Sequence, residues 1–119
     1  MLNVSSMKTA YGQAGEMLNA MISDRLGEAS LKHRNREGIN QEDFGKRVWP
    51  ERKSTQNKIS DLENPKHPPL RMTIEDFYRL CMELGLQPDR VLSSELDKLP
   101  ERLKKTKVHA SNPAATGAM

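Results

Sequence analysis

The residues with the clearest chemical capacity lie between positions 46 and 66. Gln56 and Asn57 are adjacent amides, and an amide side chain can pair bidentately with N6 and N7 of adenine. Arg52 can pair in the same way with guanine, or it can hold a phosphate. Lys46, Arg47, Lys53, Lys58 and Lys66 are spaced to neutralise phosphates. A helix opening at Thr55 would also turn backbone N–H groups toward an anion. Asp61 is the odd member: on such a surface it must accept from cytosine N4 or repel a misplaced phosphate.

Other chemistries lack their parts. No nucleophile stands beside a base and no glycine-rich phosphate loop is present, so an enzyme is not expected. Cys81 is the single cysteine, which excludes an intramolecular disulfide or a multi-cysteine zinc site; it reads as a small core residue. His33, His67 and His109 are far apart with no cysteine pair nearby, so neither metal nor cofactor is expected. Glu75, Asp76 and Glu83 read as carboxylates on the exposed face of a helix. They imply no hydrolytic pair.

A chain of 119 residues, 35% hydrophobic and 29% charged, has room for one small domain plus tails. A barrel of alternating strands and helices is excluded by length. The net charge of +3 is mild, but it is unevenly spread. Residues 46–58 hold five basic side chains and one acidic, residues 59–97 four and eight, and residues 98–107 five and one. Such a layout steers one face toward a polyanion. No 18-residue apolar run exists and the N-terminus lacks a secretory layout, so no membrane contact and a cytoplasmic location are expected.

These residues need helices to position them. Leu18, Ile22, Leu26 and Ala29, with Met21 alongside, predict a helix over about 16–37 ending at Gly38. Asn40 caps a second over 41–49, with Phe44 and Val48 inward and Trp49 a lid beside Phe44. Thr55 opens a third over 55–63, with Ile59 and Leu62 inward. Thr73 caps a fourth over 73–84, whose buried stripe is Ile74, Phe77, Leu80, Cys81 and Leu84. Pro88 starts a fifth over 88–96, with Val91, Leu92 and Leu96 inward. Residues 1–15 read as a flexible arm, 16–97 as the domain, and 98–119 as a basic, then disordered, tail. The fold class is all-α, with five helices.

Across about Leu26 to Leu92 the order and spacing of short motifs resemble those of a known family. They are L-G-E (Leu26–Glu28), R-x-x-x-G-I-N-Q (Arg34 to Gln41), F-G (Phe44, Gly45), I-S-D-L-E-N (Ile59–Asn64) and the run from Pro69 to Leu92. The chain is similar to the phage-repressor-like, Cro/C1-type (XRE family) helix-turn-helix DNA-binding proteins. The resemblance implies a compact five-helix domain with a recognition helix beginning near Thr55. On it, Thr55, Gln56, Asn57, Ser60 and Asp61 would read bases, with Lys58 outward beside them. Gln41 and Asn64 would contact the DNA backbone, and Gly45 would allow the second and third helices to cross closely. The chain departs from the family in about four extra residues within Trp49–Ser54, and in Ser30 and His33 where apolar residues are usual.

The expected function is a sequence-specific, double-stranded DNA-binding transcriptional regulator. It would be a dimeric repressor on a palindromic operator. The alternative is a protein-interaction module on the same fold, such as an antitoxin or adaptor holding a protein partner.

Overall fold

A computed structural model describes the backbone of residues 2–114 and the side chains of 9–105. Five helices follow one another: α1 (Leu2–Glu37), α2 (Gln41–Val48), α3 (Gln56–Glu63), α4 (Ile74–Leu84) and α5 (Pro88–Ala114). The described residues contain no strand. Among them no helix is long and apolar enough to cross a membrane.

Local chemistry sets most of the helix ends. Asn40 has extended backbone and its side chain accepts from the Asp43 N–H at 2.8 Å, which satisfies one of the free donors of α2. Thr73 does the same for Asp76 in α4 at 3.0 Å. Gly38 and Gly85 adopt φ of 69° and 73°, the left-handed geometry in which a side chain would be strained. Both close their helices by returning an N–H to the preceding turn.

The two outer helices are longer than their apolar stripes. α1 begins at Leu2, so residues 2–15, expected as an arm, are its first turns; no proline interrupts them, and Gly12 and Gly15 each weaken a helix only modestly. α5 likewise runs through the basic segment to Ala114, with Pro100 removing one N–H from its ladder without ending it. The part of the expected disordered tail at 115–119 lies outside the described residues.

The core gathers Ile22 and Leu26 of α1, Phe44 and Val48 of α2, Trp49, Ile59 and Leu62 of α3, Leu80 and Cys81 of α4, and Val91 of α5. α1 is the spine: α3, α4 and α5 all pack on it, while α2 packs on α3 and α4. Burying these side chains is the main drive to fold, at about 1.5–3 kcal/mol for each large apolar group.

Three inward assignments are corrected. Ile74 is exposed, because α4 turns Asp76, Leu80 and Cys81 to the core and leaves its first residue outside. Leu92 and Leu96 are also exposed, since α5 presents Val91 and Glu95 inward instead. Ser30, at an expected apolar position of α1, is fully buried but hydrogen-bonded to Glu63.

Candidate nucleic-acid interface

α2 and α3 cross where neither has a bulky side chain. Gly45 is buried, and a Cβ there would overlap Thr55 Oγ1 and stand 2.7 Å from Thr55 Cβ. Gly27 does the same between α1 and α3, where a Cβ would overlap the carbonyl oxygen of Leu62. α3 is therefore held from two sides, by the Leu62 carbonyl against the backbone at Gly27 and by the Thr55 side chain, at its N-terminal cap position, against the backbone at Gly45. Its buried face is Ile59 and Leu62, so Gln56, Asn57, Ser60 and Asp61 fall on the remaining surface.

Behind α3 lies a buried ionic knot. The Glu63 carboxylate accepts from Arg34 Nε and Nη2 at 2.8 and 2.6 Å, from Ser30 Oγ, and from Gln41 Nε2 at 3.2 Å. Arg34 also donates to the Ile39 carbonyl at 3.1 Å. Burial pushes the Glu63 carboxyl upward, but the donations from Arg34, Ser30 and Gln41 outweigh it and hold it below the ordinary range. The same pairing raises Arg34. Three helices meet on one carboxylate.

A second knot stands in front, at the connection of residues 49–55. Trp49 is fully buried, and its indole N–H donates to Asp76 Oδ1 at 3.0 Å. Lys58 Nζ sits 3.5 Å from Asp76 Oδ2 and 5.0 Å from the Trp49 ring centre. The Arg52 guanidinium lies 5.5 Å from that ring and 3.7 Å from Asp76 Oδ1. Cations over an indole face gain from its quadrupole as well as from the carboxylate. Burial again works against the charged Asp76. The Trp49 hydrogen bond, the Lys58 charge and the Thr73 cap prevail, leaving its carboxyl below the usual value. Arg79 braces the outside of this turn, donating to the Val48 carbonyl at 2.9 Å and pairing with Glu51 and Glu75.

The structure sorts the expected contact residues into three groups. Gln56 and Asn57 are exposed at the start of α3, and Lys46, Arg47, Lys53 and Lys66 are exposed around it. Lys46 is loosely tied to Glu42 at 3.6 Å. Arg52 and Lys58 are part-buried and drawn together over Trp49 by Asp76. A third group has inward or local duties. Thr55 is buried, so its assignment as a base reader is corrected: it is the packing partner of Gly45, and its hydroxyl makes no hydrogen bond. Gln41 spends its amide N–H on Glu63 rather than on the surface. Asn64 Oδ1 accepts from the Lys66 N–H at 3.0 Å, Asp61 meets His67 Nδ1 at 3.0 Å, and Ser60 is half-buried.

Asp76 is the organising residue that sequence reasoning missed. Its place in the first turn after Thr73 marks a helix start and suggests solvent exposure, whereas it is only 2% exposed. A tryptophan just before a proline, followed by two cations, was the available signal. Among the described residues no group of histidine, cysteine and carboxylates is arranged to hold a metal ion. Comparison with family models, curated proteins and solved structures returned no match for this chain.

Proposed function

We propose that this protein binds duplex DNA with sequence preference through α3, as a transcriptional regulator of the repressor type. The observation that carries the proposal is the pair Gln56 and Asn57. They are exposed at the first turn of a short helix whose opposite face is locked by Gly27, Gly45 and the Glu63 knot. A rigidly held amide pair suits reading base edges in a major groove, and the exposed Lys46, Arg47, Lys53 and Lys66 suit phosphate neutralisation. Thr55 makes no side-chain cap, so the first N–H groups of α3 are left for an anion. Steric occupation of the duplex requires no catalysis.

Selection from a random duplex library tests this. A consensus should emerge, palindromic if two copies bind together, with affinity falling steeply as salt rises. Recovery of no preferred sequence would sink the reading.

A second reading, a module that holds a protein partner, is favoured by one feature. A cavity of about 1000 Å³ lies between α1, the proline-rich loop before α4, and Leu103, lined in part by Met17, Pro69 and Met72. If that is the working surface, Met17→Lys abolishes the partner complex while changes at Gln56 and Asn57 leave it intact.

A further inference from the structure

Two of the cations beside α3 are held differently from the rest. Lys46, Arg47, Lys53 and Lys66 are exposed, and among the described residues the last three make no ion pair. Arg52 and Lys58 instead converge on Asp76, their side chains 37% and 31% exposed against 3% for the carboxylate. Arg52 Nη2 stands 3.7 Å from Oδ1 and Lys58 Nζ 3.5 Å from Oδ2, while the Trp49 indole N–H donates to Oδ1 at 3.0 Å. Both cationic heads also lie over the Trp49 ring, 5.5 and 5.0 Å from its centre.

Resting on the DNA reading above, we propose that Asp76 is an internal rival of the DNA phosphate. It holds Arg52 and Lys58 back from the duplex and so limits the attraction that carries no sequence information. The geometry favours holding over presenting. A phosphate clamp needs donors fixed by short, aligned, charge-assisted bonds of about 2.7–2.9 Å. Both distances to Asp76 are longer, so the carboxylate retains the two cations by charge without fixing their orientation. Burial points the same way. A buried carboxylate that loses a cationic partner is left with an uncompensated charge. A phosphate must offset that cost, and the lost contact with the indole face, before either side chain can reach it. The exposed cations face no such cost. Non-specific binding to duplex rests almost wholly on phosphate neutralisation, and off-target sites vastly outnumber a target. Withdrawing two cations lowers that background while Gln56 and Asn57 stay free to read bases.

The test is the salt dependence of binding by the full chain to a labelled random-sequence duplex pool, which needs no consensus. Asp76→Asn should bind the pool about tenfold tighter at low salt, with a salt slope steeper by about two phosphate contacts. A purely structural role for Asp76 would add no contacts. Arg52→Gln/Lys58→Gln, whose amides can still donate to Asp76, should keep the wild-type slope to within about one contact. The same pair in the Asp76→Asn background should return the steep slope to that of wild type. A double variant flatter by about two contacts, or a folded Asp76→Asn with no added contact, overturns the inference. If Asp76→Asn fails to fold, the double variant decides alone. A wild type that binds the pool but selects no consensus removes the sequence-reading function and leaves the inference to stand on its slopes. A selected consensus beside a flattened double variant does the reverse. A wild type that binds no duplex removes both.

Discussion

The indole N–H of Trp49 donates to Oδ1 of Asp76 across 3.0 Å, joining the residue that ends α2 to the first turn of α4. Both partners are buried, so neither has water to fall back on. The same carboxylate draws Lys58 and Arg52 over the indole face. Removing it strands a donor and two cations at once.

Asp76→Ala should therefore lower the unfolding free energy by about 3 kcal/mol, the usual cost of breaking a buried ionic contact from one side. Trp49, the single tryptophan, reports the change directly through its fluorescence in a urea titration. A loss near that of an ordinary surface substitution would show that the knot contributes little.

The pH dependence follows from two carboxylates. Asp76 and Glu63 are both held below their ordinary values in the fold. A depressed group stabilises the native state above its unfolded pKa, and that contribution disappears as pH falls toward the folded value. Stability should be flat above about pH 5 and decline below about pH 4. Urea midpoints across that range check it, and Asp76→Asn, though less stable at neutral pH, should show a shallower decline. An identical slope in that variant would assign the dependence elsewhere.

At Gly45 the steric contact is the prediction. Gly45→Ala should cost about 1–3 kcal/mol by forcing α2 away from Thr55. Thr55→Gly removes the obstructing side chain and forfeits no capping hydrogen bond. The double variant should then be more stable than the sum of the two single losses allows. Simple additivity would place the strain somewhere other than this crossing.

On the proposed DNA reading, exposed and tethered residues should behave differently at the duplex. Gln56→Ala and Asn57→Ala should each cost about 1–3 kcal/mol on the selected sequence and relax its base preference. Lys53→Ala should weaken all duplexes equally and reduce the salt slope by about one contact. Arg52→Ala should also disturb Trp49 fluorescence, because its guanidinium lies over that ring. Equal loss on every sequence from the Gln56 substitution would count against base reading.

Caps and short-range stripes were legible because each is a local bargain between neighbours. Asn40, Thr73, Gly38 and Gly85 end their helices as their types require, and Phe44 and Val48 point inward together. The burial of Asp76 was not legible, since its partners come from α3 and from the turn after α2. Ser30, Arg34, Gln41 and Glu63 likewise look like four unrelated polar residues until three helices converge. α5 misled for a specific reason. Its leucines make the stronger apolar stripe, yet the core takes Val91 and a glutamate neutralised by Arg25.

Gly27 carries a consequence for how this protein can diversify. With the Leu62 carbonyl pressed against the bare backbone of α1, the seat of α3 does not depend on the shape of any side chain facing outward. Positions 56 and 57, both exposed, can then be exchanged with no compensating change in the interior. On the proposed DNA reading, base preference would change by substitution at these two exposed positions while folding stability stayed nearly constant.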